Sequence, residues 1–424
     1  MGVCQSHGGV GQIGCVGLNS NSAIRQYAVV TGNYWAFTLT DGALRMLVVL
    51  HFHQLGYSPL QIAALFLCYE IFGVITNFFG GYLGARVGLN RTMNIGLALQ
   101  VIALLMLGVP TEWLSVPLVI CAQALSGIAK DLNKMSAKSS IKGLVPANQQ
   151  GQLFTWIALL TGSKNALKGA GFFLGGALLA LIGFKNSVLV MAAVLSIIWL
   201  ASLFLLRQNL GKAKNKPKFS EIVSKSRAIN ILSAARLCLF GARDIWFVVA
   251  LPVFLSSQLG WSFWWVSGFL ALWVIGYGIV QSLTPLITGS ASGKVPDGRS
   301  ALWWAFGLTF VTAAIAFSMT IQLPVTPVLI SGLCIFGIVF AINSSLHSYL
   351  IVSYARADGA SIDVGFYYMA NALGRLIGTL LSGWVYQISG LVACLWVSAI
   401  FIALAALLSI GLPRTTQVNT HAPR

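Results

Sequence analysis

Long apolar segments dominate this sequence and recur from Ala28 to Leu412. An α-helix needs about 20 such residues to cross a hydrocarbon core of about 30 Å. Only 8% of the 424 residues are charged and 57% are hydrophobic, whereas a soluble domain carries about 25% charged residues. The segments also lack the short alternation that is typical of a transmembrane β-barrel. The sequence therefore predicts an all-α membrane protein.

The apolar segments predict twelve crossings in two sets of six. The first set covers Ala28–His53, Leu60–Leu83, Met93–Val109, Val116–Ala137, Phe154–Leu181 and Ser187–Leu206. The second covers Ile229–Leu255, Trp264–Ile287, Ala301–Ile321, Val325–Val352, Gly365–Ile388 and Val392–Leu412. We accordingly expect a disordered N-terminal extension (1–26), an N-terminal half (27–207), a basic cytoplasmic central loop (208–228), a C-terminal half (229–412) and a cytoplasmic tail (413–424).

The basic residues of the loops are distributed unequally between the two sides. One alternating set of loops holds Arg25, Arg86, Arg91, Lys138, Lys142, Arg207, Lys212, Lys214, Lys216, Lys218, Lys225, Arg227, Lys294, Arg299, Arg356, Arg414 and Arg424. The other set holds only Lys185. The positive-inside rule then predicts that both termini are cytoplasmic. Because most of the net charge of +17 is a topology signal of this kind, we expect no nucleic-acid partner.

The two predicted halves also resemble each other. The sequence QLGYS at Gln54–Ser58 closes the first crossing, and QLGWS at Gln258–Ser262 closes the seventh. Asp41 and Asp244 precede these segments at nearly the same distance. A parallel repeat of six helices is typical of secondary transporters, so we expect two pseudo-symmetric six-helix halves.

Charged residues inside the predicted helices indicate the ligand. Eight are basic: Arg45, Lys130, Lys134, Lys164, Lys168, Arg236, Arg243 and Arg375. Fewer are acidic: Asp41, Glu70, Asp131, Asp244 and, near a helix end, Asp363. Each charge at the bilayer centre costs about 2.5–3.5 kcal/mol even on lenient scales, so a chain keeps such residues where they face a cavity or a partner. Because the bases outnumber the acids, the sequence predicts a small anionic substrate.

Helical spacing supports a cavity lined by these residues. Residues four or seven apart share one helix face, as do the pairs Lys130/Lys134, Lys164/Lys168, Asn371/Arg375 and Arg236/Arg243. At a rise of about 1.5 Å per residue, Arg243 lies about 21 Å and Arg375 about 15 Å into its helix. Both depths are near the bilayer midplane, where such transporters bind substrate. We therefore take the eight bases and Asn371 as candidate substrate-binding residues.

Other roles for these charges remain open. Arg45 could pair with Asp41, and Lys130 and Lys134 could pair with Asp131 or reach the cytoplasmic interface. The carboxyl groups of Asp41, Glu70 and Asp244 are candidates for proton coupling, because a carboxyl in a low dielectric can load and release a proton. They could equally be fixed counter-ions. The sequence shows no nucleophile–base pair, metal-ligand spacing or phosphate-binding loop of an ATPase, so we expect no enzymatic activity and no cofactor.

The segment Gly81–Arg91, GYLGARVGLNR, resembles the loop signature of the major facilitator superfamily. Gly81, Arg86, Gly88 and Arg91 fit the signature and are candidate gating residues, whereas Ala85 replaces its usual acid. The resemblance implies the twelve-helix major facilitator fold, transport by alternating access, and a monomer. The loss of the acid puts the usual charge relay of this loop in doubt.

Five segments resemble the bacterial organoarsenical efflux permease (ArsJ) family: Thr31–Arg45, Ser126–Lys138, Gly162–Gly169, Asn230–Arg236 and Gly241–Asp244. That resemblance implies a bacterial inner-membrane exporter of 1-arseno-3-phosphoglycerate. Glyceraldehyde-3-phosphate dehydrogenase makes this ester from arsenate, so export confers arsenate resistance and links the two proteins functionally. Organophosphate–phosphate antiporters place arginines at positions similar to Arg45 and Arg243. Exchange of an organophosphate against phosphate, and a sensor that does not transport, remain alternatives.

Overall fold

The computed structural model describes residues 20–57, 65–146, 148–206, 226–289 and 295–414, almost entirely as helices. The N-terminal half contains α1 (Ser20–Gln54), α2 (Leu67–Val87), α3 (Leu89–Leu107), α4 (Val116–Leu144) and α5 (Gln150–Leu205), with a short 3-10 turn at Thr111–Trp113. The C-terminal half contains α6 (Arg227–Phe247), α7 (Ala250–Ser257), α8 (Phe263–Ile287), α9 (Gly298–Thr320), α10 (Val325–Tyr354) and α11 (Ala360–Ser409).

Two of these elements are pairs of helices joined at a glycine. α5 changes direction at Gly183, where φ is 75°, and α11 does so at Gly390, where φ is 74°. We call their parts α5a (150–182), α5b (184–205), α11a (360–389) and α11b (391–409). Positive φ strains any residue with a β-carbon, so the glycines set the two equivalent turns. If α6 and α7 are counted as one crossing, the described residues form twelve helical segments, which is consistent with the predicted twelve crossings. The predicted all-α fold class is confirmed.

The apolar character of the helices is uneven. Seven helical segments among the described residues are long and apolar enough to cross a membrane by length and composition alone. α1, α2 and α4 are not among them. These three helices carry Asp41, Glu70 and Asp131 together with several bases, and a helix with such residues must turn them away from lipid. The least apolar helices are therefore expected to face the interior of the bundle.

Close backbone contacts fix corresponding helices in each half. A β-carbon on Gly175 of α5a would lie 2.3 Å from the Ala43 carbonyl oxygen of α1. One on Gly374 of α11a would lie 2.2 Å from the Leu237 carbonyl oxygen of α6. Small residues permit this approach. The first and fifth helices of each half are thus packed in the same way, as the sequence repeat predicts.

The structure differs from the predicted boundaries at two places that matter for function. Residues 20–26, which the sequence predicts to be disordered, form the first two turns of α1, and the Gln26 side-chain amide donates to the Leu205 carbonyl at 3.1 Å. α4 continues to Leu144, seven residues beyond its predicted end. Lys138 and Lys142 therefore belong to a helix and not to a loop. The central loop and the C-terminal tail lie almost wholly outside the described residues.

Three apolar clusters show how the halves meet. Two are each confined to one half: residues 37–195 supply the first and residues 235–405 the second. The third contains buried residues of both halves, including Phe154 and Tyr349, whose ring centroids are 5.1 Å apart. It lies where α2, α4 and α10 end and α5 begins, which we call the basic end after Arg86, Lys142 and Arg356. The halves are therefore packed together at the basic end.

Candidate functional site

A cavity of about 270 Å³ lies between the two halves, and α1, α2, α4, α5a, α6, α8, α10 and α11a line it. All nine predicted substrate-binding residues face it, together with Asp41, Glu70 and Asp244. Nine basic and four acidic side chains contribute to the lining, a formal excess of five positive charges. Residues distant in sequence are thus brought around one volume that favours an anion.

An ion-pair network occupies the wall formed by α1, α2 and α4. Arg45 Nη2 donates to Glu70 Oε1 at 2.8 Å, and Lys130 Nζ lies 3.8 Å from Glu70 Oε2. Lys130 and Lys134 also contact the buried Asp131, as one alternative predicted. The pairing of Arg45 with Asp41 is wrong, because α2 places Glu70 closer to the guanidinium than the carboxylate one turn earlier on α1. These three bases are therefore partly neutralised.

Tyr69 organises the same wall through its ring and its hydroxyl. The Arg45 guanidinium carbon lies 4.1 Å from the ring centroid and Lys130 Nζ lies 3.9 Å from it, which are favourable cation–π distances. The hydroxyl donates to Asp41 Oδ1 at 2.7 Å. Among the four acids that line the cavity, Asp41 alone makes no ion pair with a described residue. Asp41 is thus held by a neutral hydroxyl and not by a cation.

The opposite wall is built around Asp244. This fully buried carboxylate accepts from Arg243 Nε at 2.7 Å and from Arg375 Nε at 3.0 Å. Arg243 and Arg375 share this one acid because α6 and α11a pack side by side. One carboxylate cannot balance two guanidinium groups, and Arg375 remains 38% exposed to the cavity. The pair can still attract an anion.

Lys164 and Lys168 on α5a line the cavity but make no ion pair with any described residue. Arg236 also has no acid partner there, and its guanidinium donates to Asn371 Oδ1 at 2.9 Å and to the Ser344 carbonyl at 3.2 Å. The Phe240 ring lies 3.8 Å from its guanidinium carbon. Neutral groups therefore hold the Arg236 guanidinium in place without cancelling its charge.

Lys138 is a cavity residue that the sequence pattern places in a loop. Its side chain is 3% exposed, and its ammonium contacts the Tyr368 hydroxyl across the interface between the halves. The signal was present in the spacing of Lys130, Lys134, Lys138 and Lys142, which places four lysines on one helix face. The tyrosines of the lining gave no comparable signal, because aromatic residues are common in apolar helices.

The predicted gating residues lie at the basic end. Gly88 has φ 107° in the turn between α2 and α3, where a β-carbon would be strained. A β-carbon on Gly81 would lie 2.3 Å from the Ser361 carbonyl oxygen, and Ser361 Oγ donates to the Gly81 carbonyl at 2.7 Å. Arg86 Nη1 donates to the hydroxyl of Tyr82 at 3.0 Å, and Arg91 is exposed. Gly81 therefore sits at the contact between the halves.

Metal binding has no support among the residues that the structure describes, which contain no group of three His, Cys, Asp or Glu side chains suited to an ion. His51 instead stacks on Phe184 with a centroid distance of 4.2 Å. The cavity is thus characterised by its ammonium and guanidinium groups.

The fold is similar to those of several solved transporters. A bacterial homologue of the iron transporter ferroportin, in an outward-facing state, has a TM-score of 0.70 at 14% identity, with 90% of this chain and 98% of that chain covered. The Escherichia coli transporter FucP, in the outward conformation, has 0.71 at 12%, with 92% and 99% covered. The human organic anion transporter TETRAN has 0.71 at 15%, with 91% and 99% covered.

Identities this low show the fold alone. No curated protein sequence matches the chain significantly. A family model does match, and its description is Major Facilitator Superfamily. The match runs over residues 30–379, which is most of the 424-residue chain, and it includes the predicted signature at Gly81–Arg91. The chain therefore belongs to the major facilitator superfamily of membrane transporters.

Proposed function

We propose that this transporter exports a small organic anion, 1-arseno-3-phosphoglycerate, by alternating access across the bacterial inner membrane, with both termini in the cytoplasm. The observation that carries the proposal is the cavity with nine basic and four acidic side chains. A phosphate at one end of the ligand and an arsenate ester at the other need several cations, and the unpaired bases on both walls supply them. The identification of the ligand as an arsenic compound rests on the resemblance to the ArsJ family.

The arrangement suits a polyanion better than a neutral or cationic solute. Lys164 and Lys168 offer two ammonium groups from the N-terminal half, and Arg236 offers a planar guanidinium from the C-terminal half. Guanidinium groups recognise phosphate-like oxyanions with two parallel hydrogen bonds, whereas ammonium groups act as point charges. A cation in this cavity would instead meet five uncompensated positive charges.

Transport in this proposal is coupled to protons, and Asp41 is the proposed coupling residue. It faces the cavity, lacks an ion-pair partner among described residues and accepts a hydrogen bond from Tyr69. Glu70 and Asp244 are each held by arginines, so they serve better as fixed counter-ions. The chain acts as a monomer, and its link to glyceraldehyde-3-phosphate dehydrogenase is metabolic.

Inverted vesicles that contain the protein provide the test. The ester, generated enzymatically from arsenate, should accumulate inside them, and 3-phosphoglycerate without arsenate should accumulate much less. Cells that express both this protein and the dehydrogenase should resist arsenate, and cells that lack either should not. Equal transport of both compounds in exchange for phosphate would identify an organophosphate antiporter. Ligand binding with no flux would identify a sensor.

A further inference from the structure

The lysine stripe of α4 extends beyond the substrate cavity. Lys130, Lys134, Lys138 and Lys142 repeat every four residues and so lie along one face of the helix. At about 1.5 Å per residue the stripe is about 18 Å long. Its first three lysines line the cavity, and Lys142 lies outside it, half-buried in the basic end.

The lower part of the stripe is engaged with the opposite half. Lys142 Nζ donates to the Ser353 carbonyl of α10 at 2.8 Å. Lys138 contacts the Tyr368 hydroxyl of α11a, and its ammonium lies 4.8 Å from the centre of that ring. Neither lysine forms an ion pair with a described residue. Their present partners are neutral groups of the closed contact, so separation of the halves would release both ammonium groups.

Of the two lysines, Lys138 is the more deeply buried. A buried ammonium without an acid partner pays most of its desolvation cost uncompensated. If this side chain served packing alone, a methionine at the same position would fill similar space at a lower desolvation cost. The presence of a lysine at 3% exposure, with only a tyrosine hydroxyl and ring as partners, therefore points to a ligand that Lys138 meets in another state of the protein.

The wall of the closed contact contributed by α10 is unusually polar. The segment Asn343–Ser348 holds five polar side chains in six positions, all fully buried. Neither the Asn343 amide nor the His347 ring nitrogens hydrogen-bond to a described group. Buried polar groups without partners are costly, and these would gain solvent or a polar ligand if the contact opened. A purely structural seal would be apolar instead.

We propose that the anion enters the cavity from the basic end along the lysine stripe. The anion binds first to Lys142, outside the cavity, and then to Lys138, which lines the cavity. When α4 separates from α10 and α11a, the two ammonium groups leave Ser353 and Tyr368 and face the opening. The anion then moves from Lys142 to Lys138 and into the cavity. This inference rests on the proposed anion transport.

Flux into inverted vesicles, with the basic end facing the bath, tests the path. The probe is enzymatically generated arseno-phosphoglycerate at a concentration below saturation. Lys142→Gln removes the charge but keeps an N–H donor for Ser353. Because steering charges raise association about 10-fold or more at low ionic strength, we expect Lys142→Gln to lose about 10-fold in flux at low salt. The loss should shrink as salt is added, and Lys142→Arg should keep most of the flux.

Two controls distinguish an entry path from a general effect of charge or of folding. Lys185→Gln removes an exposed lysine at the opposite end of the bundle and should leave flux into inverted vesicles unchanged. Binding of 3-phosphoglycerate to purified protein, measured by thermal stabilisation, should be equal in wild type and Lys142→Gln, which also shows that the variant folds. For Lys138→Met we expect weaker binding as well as lower flux.

The possible results are distinct. Wild-type flux in Lys142→Gln at low salt would overturn the proposal. A loss that is independent of salt and equal in Lys142→Gln and Lys142→Met would assign Lys142 to holding the halves together, and would also overturn it. If the wild type moves no anion at all, the proposed function fails before the path is tested.

Discussion

Lys164 provides the sharpest test of the proposed anion site. It lines the cavity, and no described acid lies within ion-pair distance of it. Lys134 has the same side chain in the same cavity, but its ammonium is held by Asp131. Replacing either lysine by methionine removes one positive charge from the lining. Only the Lys164→Met change removes an ammonium that is free to contact the ligand.

The magnitude follows from the contact that is lost. A hydrogen bond to a charged group contributes about 1.5–3 kcal/mol, and each 1.4 kcal/mol is a factor of about ten in affinity. We therefore expect the half-saturating concentration for the ester to rise about 10- to 150-fold in Lys164→Met. In Lys134→Met the long-range charge is lost without the contact, so we expect a rise of less than about tenfold.

Initial rates of ester uptake into inverted vesicles, measured over a range of ester concentrations, give both values. Membrane insertion should be normal in Lys164→Met, because removing an unpaired ammonium from a low dielectric relieves a desolvation cost. It should also be normal in Lys134→Met, because Asp131 keeps Lys130 as a second basic partner. Equal losses in the two variants would show that net charge alone sets affinity. An unchanged half-saturating concentration in Lys164→Met would remove this lysine from the site.

Three further predictions concern other parts of the site. Asp41→Asn should abolish the dependence of flux on the pH gradient, and unchanged pH dependence in vesicles would assign Asp41 to structure. Arg375→Gln should abolish flux with normal membrane insertion, because its half-exposed guanidinium is held towards the cavity by Asp244; wild-type flux would refute this. Gly374→Ala should cost about 1–3 kcal/mol through overpacking against α6, whereas Gly383→Ala, with open space around it, should leave thermal stability unchanged.

The fold and the residues that line the cavity were largely predictable from the sequence. Hydropathy and helical spacing are local properties of the sequence. They therefore predict the crossings, and they predict that Lys164 and Lys168 lie on the same helix face. The excess of bases over acids is a property of composition within those crossings. It predicts a cavity for an anion, and the structure gathers these residues around one volume.

The partners of the charges depended on the tertiary structure. Whether Arg45 meets Asp41 or Glu70 is decided by the position of α2 beside α1, and the sharing of Asp244 by Arg243 and Arg375 follows from the packing of α6 on α11a. The sequence by itself determined a bundle of membrane helices with an excess of internal positive charge. Only the tertiary structure decided which cations remain unpaired, because ion pairing depends on distances between helices that are far apart in the chain.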